Sequence, residues 1–491
     1  MALLLGAMVG LVLQRRLPFL GPVPPGGLYD SDAAVPVLMS NLATGGPVDW
    51  LFWGQDRFGA WPFLAARMAG ALVHEAWTPH GMHVLRTLWM VAGLVPWLGL
   101  AGRAGPVAAA GYLLLPATGP LLQRVLPNLG TVDGWQIPAL LWAWWGLRGV
   151  ARGAPSGRWL ALATVAGALA TWTSLVSAPL LAVLAVVEGR GGEPGARRRA
   201  ALALPVVAGV VVEGTVRTLW HRTVRSQGWD VRTPASLDAG HLLDNAAGVL
   251  ATAWQAGAVP WLVAAVLAAV VALAVRRWRA EPEACTVAGA GLAALTALLV
   301  VVSVRHVREN GYHPRYLCLP LSLAVLGVWV VIGLGVRALA GRWLPRAAPV
   351  AAGVLALAAV ALLAPVARPD PREEVLRPVA AELSAHHRGA VLSASYWRAY
   401  ALAALVPPGA VVPVPRERDW NRRPDWIPAL RSGRPVLVGS PDRPGEAPPP
   451  RLVERGAPLV LIQPDVLTVP PFPGESTGER LSLYRLAPDG G

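Results

Sequence analysis

The chain has 491 residues, of which 54% are hydrophobic and 15% are charged, and its mean hydropathy is +0.46. Soluble globular domains carry about 25% charged residues, so this composition argues against a soluble protein and indicates a membrane protein. The formal net charge is +14, and all 43 basic residues are arginines. These arginines punctuate apolar segments instead of clustering on a soluble face, so the charge does not indicate nucleic-acid binding.

Apolar segments of the length of a membrane span recur along most of the chain. A spanning helix needs roughly 20 mostly apolar residues, and several of these segments are shorter. We predict about eleven spans, at 2–13, 81–102, 105–121, 135–150, 158–173, 175–189, 200–216, 255–275, 284–304, 316–336 and 347–366.

The arginines between these spans give the predicted orientation. Short cytoplasmic loops collect arginine, and the arginine-rich connections alternate along the chain. They contain Arg103, Arg148, Arg152, Arg158, Arg190, Arg197, Arg198, Arg199, Arg276, Arg277, Arg279, Arg337, Arg342 and Arg346. With eleven spans, the other connections and the C-terminal tail face outward from the cytoplasmic (inner) membrane.

The composition changes after about residue 366, which divides the chain into a transmembrane domain (1–366) and a tail domain (367–491). In the tail, a helical pattern is followed by short apolar runs between Pro-, Gly- and Arg-rich turns. The helix is predicted at 371–387 and the strands at 390–395, 410–414, 435–439 and 458–462. The predicted fold class is therefore mainly α, a polytopic membrane protein with a small extracytoplasmic α/β domain.

The outward connections carry most of the polar residues. Two are long, at about 14–80 and 217–254, and a shorter one is RHVRENGYHPRY (305–316). Arginine binds phosphate with a planar fork of donors, so an anionic ligand would explain arginines on this side. Contact with lipid headgroups is the alternative explanation.

Aromatic residues in the first connection are candidates for stacking on a sugar, namely Trp50, Trp53 and Trp61. His221, His241 and His313 have no metal-ligand spacing.

Two aspartates, Asp30 and Asp32, stand just before Pro36. Proline fits best in the first turn of a helix, so the sequence predicts a helix that begins near Pro36 and lies along the membrane surface. The apolar face of this helix would carry Leu38, Met39 and Leu42. The aspartates would precede it in an extended or turn segment. A helix cap needs only one of them, so the pair favours a functional carboxylate at the membrane boundary.

Several stretches of the sequence resemble the GT-C class of integral-membrane glycosyltransferases. They are similar to its bacterial members grouped with protein O-mannosyltransferases and lipid A aminoarabinose transferases. The stretches are YDSDAAVPVLMSNL (29–42), FWGQDRFGAWPFLAARM (52–68), ATWTSLVSAPLLAVLAVV (170–187), HPRYLCLPLSL (313–323) and SYWRAYALAAL (395–405). The resemblance therefore covers nearly the whole chain.

The resemblance implies an enzyme that uses a polyprenyl-phosphate-linked sugar on the outer face of the membrane. Asp32 matches the aspartate that acts as base toward the acceptor, and Arg315 matches an arginine near the lipid phosphate. The predicted substrate-binding residues are Asp30, Gln55, Asp56, Arg57, His313, Arg315 and Tyr316. Ala33 and Pro62 replace acids that many relatives have there, and the remaining carboxylates make a poor divalent site. We therefore name no cofactor and no metal ligands, and a divalent metal is the alternative left open.

The sequence thus predicts an inverting glycosyltransferase for hexosyl or pentosyl transfer. A carboxylate would deprotonate the acceptor hydroxyl, and arginines would stabilise the departing phosphate. The acceptor class (glycan, lipid or protein) is left open, and membrane lipids are the expected surroundings. The alternatives are a transporter or flippase for a lipid-linked or anionic substrate, and a non-catalytic scaffold. A transporter would bury ionisable residues near the bilayer midplane, where Glu213 is the clearest example.

Overall fold

The structure is a computed structural model. It describes residues 31–53, 58–73, 76–153, 157–190, 196–227, 237–274, 281–340, 370–416, 423–441, 446–472 and 475–488. Helices dominate up to residue 340. They are α1 (Ser31–Leu42), α2 (Trp61–Val73), α3 (Pro79–Ala92), α4 (Leu94–Ala101), α5 (Gly105–Leu113), α6 (Pro120–Val125), α7 (Asp133–Ala151), α8 (Gly157–Thr173), α9 (Ser177–Arg190), α10 (Ala196–Ser226), α11 (Leu242–Gln255), α12 (Val259–Ala274), α13 (Pro282–Ser303), α14 (Arg305–Glu309) and α15 (Cys318–Ala340).

Four helical runs in the described residues are long and apolar enough to cross a membrane, and a bent pair of helices adds a fifth candidate. The four runs are Gly81–Leu113, Arg197–Ser226, Pro282–Ser303 and Pro314–Leu339. Helices α7, α8 and α9 coincide with three further predicted spans but are shorter or less apolar. The predicted spans at 2–13 and 347–366 lie outside the described residues. The number of spans therefore stays a prediction.

The run Gly81–Leu113 contains a chain reversal. Gly102 has φ 54°, a left-handed conformation that glycine adopts without a steric cost. Across this glycine, the indole N–H of Trp97 in α4 donates to the carbonyl of Ala108 in α5 at 2.8 Å. A straight helix would separate residues 97 and 108 by about 16 Å. Helices α4 and α5 therefore pack side by side, as expected if 81–102 and 105–121 are separate spans.

Helix α1 differs from its prediction in its start and in its burial. It begins at Ser31, so Asp32 lies in its first turn and Pro36 lies inside it. Residues 33–40 are all buried, and α1 packs against α2, α3 and the tail domain. A helix that is apolar all round is buried inside a protein. The prediction of a helix at the membrane surface, with the aspartate before it, was wrong for this reason.

The predicted outer connection at 217–254 is largely helical where the structure describes it. Helix α10 continues past the predicted span to Ser226, and the guanidinium of Arg217 pairs with the carboxylate of Glu213 one turn earlier. Helix α11 follows and meets α12 at 109°. Its outer surface exposes Leu243, Leu250 and Trp254. A helix nearly perpendicular to a spanning helix, with an exposed apolar stripe, is suited to lie in the membrane interface.

Charged residues predicted to be cytoplasmic meet at one end of the helix bundle. Nη2 of Arg148 lies 2.6 Å from a carboxylate oxygen of Glu188, and both side chains are buried. Arg103 pairs with Glu283 at 3.0 Å, and Arg337 donates to the carbonyl of Arg103. Arginines from three predicted cytoplasmic connections thus share one end of the bundle, which we call the arginine end. Among them Arg148 is buried, which is costly unless the cation is paired.

The opposite end of the same helices carries a second group of polar residues. Helix α7 begins at Asp133 and reaches Arg148 after fifteen residues, which corresponds to about 22 Å. Helix α15 likewise ends near Arg337 and follows a 3₁₀ turn, Pro314–Leu317, at its other end. We call this second end the polar end.

The tail folds as a mixed sheet with two helices. Its elements are α16 (Pro371–His386), β1 (Val391–Ser393), α17 (Tyr396–Leu405), β2 (Val412–Pro413), β3 (Val436–Pro441), β4 (Arg451–Glu454), β5 (Ala457–Val469) and β6 (Glu479–Leu486). The strand order is β2-β1-β3-β6-β5-β4, with the first three strands parallel and the others antiparallel. The sequence predicted α16 and the strands β1, β2, β3 and β5. It did not predict β4 and β6.

The tail and the helix bundle share an apolar core. One cluster joins α1 and its neighbours to α16, α17 and strands of the sheet. Helix α17 packs directly on α1. The tail therefore sits at the polar end of the bundle. The boundary at 366/367 falls within residues 341–369, which the structure does not describe, so it stays a prediction.

The separation of the two ends generates a topology test. If the arginine end is cytoplasmic, then the tail at the polar end is exported. Alkaline phosphatase, which is active only outside the cytoplasm, should be active when it is fused after Pro488. The same enzyme fused after Arg190 should be inactive. Activity only in the Arg190 fusion would contradict the orientation.

Candidate functional site

Asp32 contacts the tail domain through one short hydrogen bond. The hydroxyl of Tyr396, the first residue of α17, donates to Oδ1 of Asp32 at 2.5 Å. A distance of 2.5–2.7 Å is typical of a hydroxyl bound to a charged carboxylate. Tyr396 is buried and Asp32 is half-buried. Two sequence stretches of the family resemblance, 29–42 and 395–405, therefore meet at this bond.

A loop of the helix bundle, residues 128–131, packs closely against the backbone of Asp32. A Cβ on Gly130 would lie 2.5 Å from the carbonyl oxygen of Asp32 and 2.8 Å from its Cβ. Only glycine permits this approach. The amide of Gly130 donates to the side chain of Asn128, and the hydroxyl of Thr131 donates to the Asn128 carbonyl. The loop 128–131 is thus held in one conformation against the first turn of α1.

Arg86, in the predicted span 81–102, is hydrogen-bonded to this loop. Its guanidinium donates to the carbonyl of Asn128 and to the hydroxyl of Thr131. It also lies 5.6 Å from the ring centre of Trp135. Arg86 is 2% exposed, and its Nε has no hydrogen-bond partner among the described residues. An arginine buried in an apolar span indicates a functional site.

Asp133 follows the same loop, is buried, and lies within electrostatic reach of Arg86 and of Arg315. It therefore links the loop that seats Asp32 to the predicted phosphate-binding residue. The polar end brings together Asp32, Arg86, Asp133 and Arg315 around the segment 128–133.

Arg315 lies in the 3₁₀ turn before α15. Its amide donates to Nδ1 of His313 at 3.2 Å, and its guanidinium donates to the hydroxyl of Tyr316 at 3.3 Å while stacking on that ring. Partial burial lowers the pKa of His313, and the nearby charges of Arg315 and Arg124 lower it further. The His313 imidazole is therefore neutral at pH 7, which leaves Arg315 as the cation of this turn.

The three arginines of segment 305–316 differ in their partners. Arg305 pairs with Glu309 at 2.8 Å, and Arg308 pairs with the buried Asp238 at 2.7 Å. Arg308, followed by His241 and Asn245, lowers the pKa of Asp238 to about 2, so this carboxylate is ionised at neutral pH. In the part of the chain that the structure describes, no carboxylate lies within 4 Å of the guanidinium of Arg315. Arg315 is thus the arginine of this segment that is suited to an external anion.

A third acid in the first connection, Asp49, has a structural role. Its carboxylate accepts the amide of Thr44 at 2.6 Å and the indole N–H of Trp53 at 2.8 Å. Trp53 is fully buried, with Arg423 over its ring and Trp426 at its edge. Of the three tryptophans named as candidates for stacking on a sugar, Trp53 is not available for it, because protein groups cover its indole.

Four of the predicted site residues lie outside the described part of the chain. These residues are Asp30, Gln55, Asp56 and Arg57. Three residues at the site are not among those predicted from the sequence, namely Arg86, Asp133 and Tyr396. Arg86 had a signal, since it is a lone cation in an apolar span. Among the described residues, no cluster of three His, Cys, Asp or Glu could hold a metal ion.

No protein-family model matches the sequence, and no curated protein matches it either. Solved structures do match. The apo crystal structure of ArnT from Cupriavidus metallidurans has a TM-score of 0.51 at 16% identity, and the match covers 89% of this chain and 92% of ArnT. The same protein bound to undecaprenyl phosphate has a TM-score of 0.50 at 15% identity, with 98% and 97% covered.

A lower likeness is found to the apo oligosaccharyltransferase of Archaeoglobus fulgidus, with a TM-score of 0.40, 12% identity, and 84% and 64% of the two chains covered. At these identities the likeness to ArnT concerns the fold alone. It agrees with the resemblance read from the sequence, and the chain has the fold of a GT-C glycosyltransferase.

Proposed function

We propose that the chain is a membrane glycosyltransferase that moves a sugar from a polyprenyl-phosphate carrier to an acceptor hydroxyl, with inversion. The observation that carries the proposal is the arrangement at the polar end. There Asp32, held by Tyr396, lies against the loop 128–131. Arg315, which pairs with no carboxylate in the described part of the chain, lies within electrostatic reach of Asp133, just after that loop. The ArnT fold, solved with undecaprenyl phosphate bound, supports a lipid-phosphate donor.

In the proposed reaction, Asp32 takes the proton of the acceptor hydroxyl as its oxygen attacks the anomeric carbon of the donor sugar. The bond from that carbon to the phosphate oxygen breaks, and the lipid phosphate leaves with the electron pair. Arg315 stabilises the negative charge that develops on the phosphate. Attack from the face opposite the phosphate inverts the anomeric centre.

Tyr396 is proposed to position the base. Its hydroxyl binds one carboxylate oxygen and so fixes the rotamer of Asp32. Because Tyr396 belongs to the tail, the tail takes part in building the site. Arg86 and Asp133 are proposed to support the site indirectly, Arg86 by holding the loop under Asp32 and Asp133 by balancing the nearby cations.

The first test replaces the base. Asp32→Asn keeps an oxygen that can accept the Tyr396 hydroxyl but removes the basic carboxylate. Loss of a general base typically lowers the rate by about 10²–10⁴-fold. Mass spectrometry of membrane lipids and surface glycans, in cells with and without the protein, should show a sugar modification that disappears in this variant. The exposed Asp244 provides the control Asp244→Asn, which should retain the modification. A fully active Asp32→Asn enzyme would reject the proposed mechanism.

The second test concerns the donor phosphate. Arg315→Ala should weaken binding of undecaprenyl phosphate by about 1.5–3 kcal/mol, the range for a hydrogen bond to a charged group. Arg315→Lys should recover only part of it, because an ammonium lacks the planar fork. Arg305→Ala is the matched control, since Arg305 is exposed and already paired with Glu309. Equal affinities of the Arg315→Ala and wild-type proteins, measured by titration, would make Arg315 a lipid-headgroup anchor.

The third test concerns the close contact between Gly130 and the backbone of Asp32. Gly130→Ala places a Cβ against the Asp32 carbonyl, so the first turn of α1 must shift. A displacement of about 1 Å at a catalytic group costs about 10²-fold in rate. Gly119→Ala is the control, because a Cβ there meets nothing within 4 Å. Both variants should reach the membrane in wild-type amounts, and only Gly130→Ala should lose turnover. Equal turnover would show that this contact does not position the base.

A further inference from the structure

A cleft of about 510 Å³ lies in the tail domain, beside the turn between β1 and α17. Its volume is within the roughly 300–1,000 Å³ that is typical of small-molecule sites. Ser395, which lines it, directly precedes Tyr396, the tyrosine that binds Asp32. The cleft is thus one residue away from the proposed active site along the chain.

The cleft occupies a position in the sheet where α/β folds bind ligands. Ser395 follows the carboxyl end of parallel strand β1, and Arg416 follows β2. In open α/β sheets, ligands bind outside the carboxyl ends of the parallel strands. The far wall comes from the turn between β4 and β5, because the sheet curls. Arg455 in that turn donates to the carbonyl of Pro415, although β2 and β4 are opposite edge strands.

The carboxylate of Glu479, at the bottom of the cleft, is held in place by hydrogen bonds. Oε1 of Glu479 accepts the amide of Ser395 and Oε2 accepts its hydroxyl, both at 2.9 Å. Glu479 is 4% exposed, and a Cβ on Gly439 would lie only 1.9 Å from it. Arg398 stands beside it, with Nη1 at 3.7 Å. The Nε of Arg398 is buried and has no hydrogen-bond partner among the described residues.

The opening of the cleft repeats this mixture of charges. Nε of Arg416 lies 3.4 Å from the carboxylate of Glu454, and the Arg416 side chain is 42% exposed. Glu475 also binds Arg398, at 2.7 Å. The cleft is therefore lined by three arginines and two glutamates, without a strong excess of either sign; these are Arg398, Arg416, Arg455, Glu454 and Glu479.

The presence of both arginines and glutamates in the lining limits the class of ligand that the cleft can bind. Guanidinium groups only donate hydrogen bonds, and carboxylates only accept them. A small anion would meet Glu454 and Glu479, and a small cation would meet the arginines. A ligand with many hydroxyls satisfies both kinds of group, because each hydroxyl donates and accepts. We propose that the cleft binds a neutral saccharide unit, which serves as part of the acceptor. The acceptor role, but not saccharide binding, rests on the proposed function.

Saturation-transfer NMR on the purified full-length chain in detergent micelles tests the proposal, with lactose and maltose as probes. A disaccharide signal is expected from the wild-type protein. Arg416→Gln should reduce it at least five-fold, because the half-exposed guanidinium is lost while the buried groups stay. Arg434→Gln, at an exposed arginine of the same domain outside the cleft, should leave the signal unchanged.

Three results would overturn saccharide binding in the cleft. They are a missing signal in the wild-type protein, an equal signal in Arg416→Gln, and full displacement of the disaccharide by inorganic phosphate, which would indicate an anion site. Asp32→Asn should keep the wild-type signal. If Asp32→Asn proves fully active, the proposed mechanism fails while the binding result stands.

For the acceptor role, Arg416→Gln should raise the acceptor KM without changing kcat, and an unchanged KM would overturn that role.

Discussion

The hydrogen bond between Tyr396 and Asp32 is the constraint on which the rest of the site depends. A carboxylate at the start of a buried helix is costly unless a partner binds it, and here the partner comes from the tail domain, 364 residues later. Pro36 has no N–H to give to the carbonyl of Asp32, as the residue four positions on in a helix normally does. That face of the first turn is instead approached by Gly130. Bundle, first helix and tail thus meet at one residue.

Arg86 and Arg315, the arginines on either side of Asp133, differ from the arginines of the arginine end in how they are neutralised. At the arginine end, Arg103 and Arg148 each pair with a glutamate. At the polar end, in the part of the chain that the structure describes, Arg86 and Arg315 have no carboxylate within ion-pair distance. The buried Asp133 lies within electrostatic reach of both cations without a direct ion pair, so two positive charges face one nearby acid, and the remaining positive potential attracts an anion. In the proposed reaction, a lipid phosphate held at the membrane boundary would supply it.

Much of the fold could be predicted from the sequence, because hydropathy and arginine placement report on the membrane directly. Helices α8 and α9 and the elements α16, β1 and β3 were predicted within a few residues. The start of α1 was wrong because tertiary burial outweighed the preference of Pro36 for a first turn. The strand β6 was missed because its polar residues interrupt the apolar pattern.

The candidate site was less predictable than the fold. Arg86 could have been found as a cation within an apolar span, but its role depends on the loop 128–131, which carries no sequence motif. Tyr396 lies in a stretch already noted for its resemblance, yet its partner is unknowable without the packing of α17 on α1. Sequence spacing constrains neighbours along one element, whereas this site joins elements from distant parts of the chain.

The positions of these elements give the proposed reaction a direction. The donor sugar hangs from a lipid, so its phosphate stays at the membrane boundary, where Arg315 begins a long apolar helix. The acceptor would arrive from the side of the tail, where Ser395 lines the cleft and the next residue, Tyr396, binds the carboxylate of Asp32. In the proposed reaction, Asp32 would therefore act between an acceptor held by the tail and a donor held by the bundle. A shared core fixes these two parts relative to each other, so the alignment that the proposed in-line displacement requires would depend on the packing of α17 on α1.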